Sequence, residues 1–256
     1  MDTYRRLHGP FPPCESVRYL KRLYEAAYPR LPCNEADCSI EELTRQERAM
    51  FISQKDVEEI LREQVGGKSA VDIILECICD RCTKLRTQDT YGTTELARLA
   101  TDILKHCRVL FATLIYLGFS QLIGGLRGGF LAQPPLIQDS NLDAMGEWLK
   151  QNKRNYPLLP RGFEESYFVA LKLFTAPIFE LQSKFHHADD CRFPFLDESM
   201  HAEGSFGTVR KFNIHPHFIG KDVRRLETLG PAIFGYEKAL KNGSKIPVWN
   251  FYFSVL

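Results

Sequence analysis

The chain has 256 residues, of which 44% are hydrophobic and 25% are charged. This balance is typical of a globular protein with one large domain or two small ones. The net charge of +1 gives no electrostatic reason to expect nucleic acid or an acidic membrane as a partner. Residues 1–6 are not followed by the apolar stretch of a secretory signal, so we expect an intracellular, cytoplasmic protein.

The first third of the chain shows helical periodicity in three places. Apolar residues recur at a spacing of three and four over residues 16–28, which predicts an amphipathic helix. A second helix is predicted over residues 39–52, where acidic residues follow a serine. A third helix is predicted after Ser53, a suitable capping residue, and Gly66 and Gly67 are expected to stop it.

The longest apolar run covers residues 109–123. A membrane-spanning helix needs about 20 apolar residues, so this shorter run predicts a buried helix instead. The helical periodicity begins earlier, and we expect one helix over residues 94–123. Glycines and prolines then predict a loop over residues 124–138.

Two further helical segments precede a change of pattern. Residues 141–151 predict a short helix, and residues 164–186 form an aromatic-rich segment that Pro177 should kink or split. From Phe193 the sequence becomes extended, and residues 246–256 are rich in β-forming residues.

These patterns predict a mainly α fold in which a helical N-terminal domain is followed by a small antiparallel β segment. The helical domain is assigned to residues 1–190 and should contain five to seven helices. The β domain is assigned to residues 191–256 and should contain two to four strands. The boundary is expected near residues 189–193.

A glycine-rich stretch lies at the start of the β segment. It reads Ala202-Glu203-Gly204-Ser205-Phe206-Gly207-Thr208-Val209. A loop that lays its backbone N–H groups against phosphate oxygens cannot carry side chains at the closest contacts, and glycine satisfies that demand.

This stretch resembles the G-x-G-x-x-G-x-V loop of protein kinases. The longer string from Leu196 to His217 resembles the start of the kinase domain in fungal serine/threonine protein kinases that carry a helical N-terminal extension. The resemblance implies that residues 191–256 form part of a kinase small lobe and that the cofactor is ATP with Mg. The cofactor-binding residues that it implies are Ala202, Glu203, Gly204, Ser205, Phe206, Gly207, Val209 and Lys241.

The chain departs from the kinase pattern in several respects. Ala202 replaces the first glycine, and the only A-x-K match after the loop ends at Lys241, 32 residues after Val209. The sequence contains no H-R-D, D-F-G or A-P-E motif, so the catalytic base and the metal ligands of a kinase are missing. We therefore expect a kinase-related protein that is truncated within the small lobe and catalytically incomplete, with no catalytic residue and no metal ligand.

A second hypothesis remains open. The chain could be a non-catalytic helical interaction module with a vestigial kinase segment, and its protein partner would then bind the helical domain. Stabilisation by Mg-ATP separates the two hypotheses, because only a nucleotide-binding protein is stabilised.

The cysteines also leave two interpretations open. Cys79 and Cys82 have the spacing of a zinc-chelating pair, and Cys33 and Cys38 could supply a second pair. Alternatively, Cys77 and Cys79 are core residues, because a free thiol packs like a small apolar group. Metal analysis of the purified protein distinguishes these interpretations.

Two histidine motifs predict structure and not chemistry. His186 and His187 are expected to lie at a solvated helix end together with the acidic residues that follow them. His215-Pro216-His217 predicts a turn in preference to a pair of metal ligands.

Overall fold

The computed structural model describes residues 15–28, 50–80, 93–126, 137–152, 159–179, 184–185, 192, 194–204, 207–221, 232–240 and 247–255. Packing divides the chain into two compact units. The first unit contains Met1–Ala26 and Gln54–Phe174, and the second contains Ala27–Ser53 and Thr175–Leu256. This division differs from the predicted boundary at residue 190, because the segment 27–53 and residues from 175 onward both pack within the second unit.

The described part of the first unit is helical. Its α-helices are α1 (Glu15–Glu25), α2 (Gln54–Arg62), α3 (Ala70–Asp80), α4 (Thr93–His106), α5 (Arg108–Leu117), α6 (Leu122–Leu126), α7 (Met145–Asn152) and α8 (Phe163–Leu171). A short 3-10 turn, Leu142–Ala144, leads directly into α7. These eight α-helices exceed the predicted five to seven, because one predicted helix is divided into three.

Helix α5 lies at the centre of the helical unit. Val109 to Ile115 are all buried, and α5 packs against α1, α2, α4, α6 and α8. The buried Thr113 hydroxyl donates to the Val109 carbonyl at 2.8 Å, so burying this hydroxyl costs little free energy. The prediction that this apolar run forms a buried helix is confirmed. Within the part of the chain that the structure describes, no helix has the length and apolar character required to cross a membrane.

The predicted helix over residues 94–123 is interrupted twice. Cys107 separates α4 from α5 and has a φ of −137°, outside the helical range. Gly118 ends α5 with a φ of 76°, a left-handed conformation that glycine adopts without strain. α6 then occupies part of the predicted loop over residues 124–138. Periodicity missed both interruptions because the apolar spacing continues through them.

Asp139 stabilises the start of α5 from a distant part of the chain. Its carboxylate accepts the backbone N–H groups of Val109 and Leu110 at 3.1 and 3.0 Å. Burial raises the pKa of Asp139 above its ordinary value of 3.8, while these hydrogen bonds act in the opposite direction. No local sequence pattern indicates this cap, because Asp139 lies about 30 positions from the amides that it binds.

The two glycines that were expected to stop a helix form a hairpin. Helix α2 ends at Arg62, and strands β1 (Gln64–Val65) and β2 (Lys68–Ser69) follow as an antiparallel pair. Gly66 and Gly67 connect them with φ values of 60° and 81°. Two successive positive φ angles define the tight turn that matches the twist of a hairpin.

The aromatic-rich segment 164–186 is split, as Pro177 led us to expect. Helix α8 ends at Leu171, the following turn leads into residues without regular secondary structure from Thr175, and strand β3 covers Lys184–Phe185. The predicted helix over residues 39–52 lies largely outside the described residues. Its last residues are not helical, since Phe51 forms a β-bridge with Tyr28.

The second unit contains a five-stranded antiparallel sheet. Its strands are β3, β4 (Phe195–Gly204), β5 (Gly207–Ile214), β6 (Ala232–Leu240) and β7 (Pro247–Val255), in the order β3-β7-β6-β5-β4. The predicted fold class, a helical region followed by an antiparallel β segment, is confirmed. Four strands lie within the predicted range, and β3 adds a fifth from the residues before it.

Replacement of Tyr167 by phenylalanine should stabilise the protein. The Tyr167 side chain is fully buried, and its hydroxyl has no hydrogen-bond partner among the described residues. Because an unpaired buried hydroxyl opposes folding, we expect Tyr167→Phe to raise the free energy of unfolding by about 1 kcal/mol, measured by urea denaturation. A loss of stability in Tyr167→Phe would contradict the prediction.

Asp139→Asn should alter the pH dependence of stability. Because the folded pKa is raised, the folded protein holds the Asp139 proton more tightly than the unfolded chain does. This contribution is present below the unfolded pKa and is lost as pH rises through the folded pKa. The free energy of unfolding of the wild type should therefore fall relative to Asp139→Asn as pH rises above the ordinary carboxyl pKa of 3.8. Parallel curves for the two proteins would refute the assignment.

Candidate functional site

The glycine-rich stretch forms the connection between β4 and β5. Ala202, Glu203 and Gly204 end β4, and Gly207 begins β5. The register pairs Gly204 with Gly207 and Ala202 with Val209, so the hairpin is closed by a glycine pair with two residues between them. The predicted residues Ser205 and Phe206 occupy that connection and lie outside the described residues.

An irregularity in β4 lies immediately before this hairpin. The register shifts between Met200 and Ala202, which is the signature of a β-bulge. A bulge bends and twists its strand, and it re-aims the residues that follow. Ala202, which stands where the kinase pattern has its first glycine, is therefore the first paired residue after the bulge.

The C-terminal end of β6 lies at the same end of the strands as the β4–β5 hairpin. β6 runs antiparallel to β5, with Glu237 opposite Val209. At about 3.3 Å per residue, Leu240 extends about 10 Å beyond Glu237, and Gly207 extends about 7 Å beyond Val209 in the same direction. The predicted Lys241 follows Leu240 in sequence and lies outside the described residues.

The predicted zinc ligands lie largely outside the described residues. Cys33, Cys38 and Cys82 lie outside the description, and for Cys79 only the backbone position in α3 is described. The described ranges contain no cluster of three or more metal-ligating side chains. Cys77 is buried in the first unit, and its Sγ accepts the Glu15 N–H at 3.4 Å.

The second unit also contains a cluster of side chains that the sequence did not predict. We call residues 215–220 the histidine turn. His215 accepts the backbone N–H of His217 through its side chain at the start of a 3-10 turn, Pro216–Phe218. The prediction of a turn at this motif is confirmed.

Aromatic residues from the segment 27–53 pack on the histidine turn. The ring of His215 lies 4.4 Å from that of Tyr28 and 5.9 Å from that of Phe51, measured between centroids. Phe51 also packs edge-on against Phe218 at 5.2 Å. Tyr28 and Phe51 are joined by reciprocal backbone hydrogen bonds of 2.8 and 2.6 Å. Phe51 is fully buried, so this contact is part of the core of the second unit.

The histidine turn also holds the chain that precedes β3. The Phe179 N–H donates to the Phe218 carbonyl at 2.7 Å, and the Gly220 N–H donates to the Phe179 carbonyl at 2.7 Å. These bonds form a parallel bridge between Phe179 and Ile219. Three separate chain segments therefore meet at this turn.

Polar contacts complete the cluster. The Ser53 hydroxyl and His217 Nδ1 are 2.9 Å apart, and either atom can be the donor. Arg192 Nη1 donates to the Met50 carbonyl at 3.1 Å. A serine that is hydrogen-bonded to a histidine can also act as a catalytic nucleophile. Ser53, however, is only 1% exposed, and no described group marks a substrate-binding position beside it.

We found no match for this chain among protein-family models, curated proteins or solved structures. The resemblance to protein kinases therefore stays a prediction from the sequence. The sequence offered no signal for the pairing of Tyr28 with Phe51, because neither residue lies in a periodic strand pattern. It did mark residues 215–217 as a turn, although it did not indicate what packs there.

Phe51→Ala should destabilise the second unit selectively. Truncation of a fully buried phenylalanine costs about 3–5 kcal/mol, and here it removes the ring that packs on both His215 and Phe218. We expect the Gly220 amide to lose hydrogen-exchange protection in Phe51→Ala and to retain it in the control Phe168→Ala. The control residue is half-buried in α8 of the first unit. Equal effects of the two substitutions on Gly220 would contradict the role of Phe51.

Proposed function

We propose that the second unit binds Mg-ATP at the β4–β5 hairpin, in the manner of a protein kinase small lobe. Gly204 and Gly207 would let the backbone approach the phosphates, and Lys241 would supply a positive charge to them. The observation that carries this proposal is the register of the sheet. The glycine pair closes the hairpin, and β6 ends beside it immediately before Lys241.

The local geometry supports a phosphate cradle for a physical reason. Gly204 and Gly207 pair with each other and carry no side chain, so at these two positions the backbone can approach a phosphate closely. A lysine that reached the phosphates would add a charge-assisted hydrogen bond, which is about twice as strong as a neutral one. The resemblance of residues 196–217 to a kinase small lobe includes these glycines and points to the same ligand.

The proposal concerns nucleotide binding and not phosphoryl transfer. Mg-ATP would supply a transferable γ-phosphoryl group, but transfer also needs a catalytic base and metal-binding carboxylates in defined motifs. Those motifs are absent from these 256 residues. Binding alone would suit a regulatory or scaffolding role within a kinase-related protein.

The test is nucleotide-dependent stabilisation of the whole chain. Mg-ATP at 100 times its dissociation constant should raise the free energy of unfolding by about 2.7 kcal/mol, seen as a shift of the thermal transition. Lys241→Ala should weaken binding about 10- to 100-fold, because it removes a charged hydrogen bond of about 1.5–3 kcal/mol.

Lys221→Ala is the matched control, since it removes the same charge from an exposed position after the histidine turn. It should bind Mg-ATP with the affinity of the wild type. Equal weakening by both substitutions would reduce the effect to net charge and count against a specific role for Lys241. The absence of any shift with the wild type would overturn nucleotide binding and favour the helical interaction module.

A further inference from the structure

The register of the five-stranded sheet aligns one residue from each strand in a single row. Val209 in β5 lies opposite Glu237 in β6, and Glu237 lies opposite Asn250 in β7. The row continues to Ala202 in β4 and to Lys184 in β3. Residues directly opposite each other on antiparallel strands belong to the same face of the sheet. These five residues therefore share one face.

The glycine pair of the β4–β5 hairpin belongs to that same face. Gly204 lies two positions after Ala202, and Gly207 lies two positions before Val209. Because the faces of a strand alternate with a period of two, each glycine has the same face as its neighbour in the row. The bulge in β4 precedes Ala202 and does not alter this count. The face that carries Glu237 therefore has no side chain at the two positions that close the hairpin.

Glu237 is close enough to the hairpin to share a ligand with it. Neighbouring strands lie about 4.8 Å apart, and two residues along a strand span about 7 Å. The Cα atoms of Glu237 and Gly207 are therefore about 8 Å apart. A glutamate side chain and an octahedral Mg²⁺ ion, which holds its ligand oxygens at about 2.1 Å, span such a distance between the strand and a phosphate.

Glu237 and Asn250 are the residue types that Mg²⁺ prefers. Mg²⁺ binds oxygen, and in nucleotide sites it is held by one or two carboxylates together with phosphates and water. A glutamate supplies a carboxylate, and an asparagine supplies a neutral carbonyl oxygen. Directly opposite residues have Cβ atoms about 4.5–5.5 Å apart, which allows two side chains to share one ion. The D-F-G carboxylate of kinases is absent from these 256 residues, so this pair is a different source of ligands.

Two lysines on the same face define the competing interpretation. Lys184 lies opposite Asn250, and Lys211 lies opposite Gly235, two positions before Glu237. Residues at such a diagonal are about 7–8 Å apart, which a long side chain can bridge. An ion pair with a lysine would make Glu237 a structural residue. It would then contribute to stability without any dependence on a metal ion.

We propose that Glu237 and Asn250 bind the Mg²⁺ ion of Mg-ATP when the phosphates lie at the glycine pair. This role rests on the proposed binding of Mg-ATP at the hairpin. Glu237 balances part of the charge of the ion, Asn250 fills a second coordination position, and phosphate oxygens and water complete the octahedron. The ion links the nucleotide to β6 and β7, so ATP affinity depends on Mg²⁺ as well as on the glycine backbone.

The experiment measures the ATP affinity of the whole chain from the shift of its thermal transition, with excess MgCl₂ and with EDTA at equal ionic strength. The wild type should bind ATP at least about tenfold more tightly with Mg²⁺. Glu237→Gln keeps the shape of the side chain and removes its charge. It should lose most of the Mg²⁺ dependence, because even groups that only orient metal ligands contribute about 10–100-fold to metal affinity. Its ATP affinity in EDTA should not fall.

Glu198→Gln is the matched control. Glu198 lies opposite Phe212, three positions from Val209, and therefore on the other face of the same sheet. Its substitution removes the same charge and should keep the Mg²⁺ dependence of the wild type. Asn250→Asp adds a second carboxylate to the proposed site and should increase the dependence. This variant decides the question if Glu237→Gln does not fold, since an unchanged dependence in Asn250→Asp would refute the site.

The cation site and nucleotide binding can fail separately. ATP shifts that are equal with Mg²⁺ and with EDTA would overturn the cation site and leave nucleotide binding intact. Wild-type Mg²⁺ dependence in a destabilised Glu237→Gln would assign Glu237 to an ion pair with a lysine and would also overturn it. Loss of the dependence in Glu198→Gln as well would reduce the effect to net charge. If ATP gives no shift in either condition, nucleotide binding at the hairpin is refuted and the cation site with it.

Discussion

The second unit depends on a single buried imidazole at the point where β5 ends. His215 accepts a hydrogen bond that starts the turn, and its ring packs against the rings of Tyr28 and Phe51. An aliphatic side chain could fill the same volume but would leave the His217 amide without its acceptor. A polar ring therefore meets two demands together, one of packing and one of hydrogen bonding, at the place where three chain segments meet.

Features set by a local pattern were predicted from the sequence, whereas features set by distant partners were not. The apolar spacing of three and four predicted α1, α2, α7 and the buried position of α5, because each pattern is local and one face decides it. The interruption at Cys107 depends on Asp139, about 30 residues further on, and the segment 27–53 depends on a turn at residue 215. Single-sequence periodicity contains no information about such distant partners.

The candidate site was predicted in part for the same reason. Glycines at 204 and 207 indicated a tight connection, and the register confirms that they face each other across the hairpin. The spacing between Val209 and Lys241, which is long for the family, did not predict that β6 ends near the hairpin. Strand pairing brings Gly207 and Leu240 to the same end of the strands because β6 returns antiparallel along β5. The distance along the chain was a poor guide to the distance along the sheet.

The hairpin and the histidine turn lie at opposite ends of β5, which runs from Gly207 to Ile214. At about 3.3 Å per residue they are separated by roughly 25 Å, so neither can touch a ligand held by the other. What connects them is a continuous, hydrogen-bonded strand. The segment from residue 27 to residue 53 contributes Tyr28, Phe51 and Ser53 to one end of that strand. A fragment of residues 191–256 would lack these side chains and would expose Phe218 and His215. The second unit is therefore built from two separate stretches of the sequence. Its boundaries follow this packing and not the change in sequence pattern near residue 190.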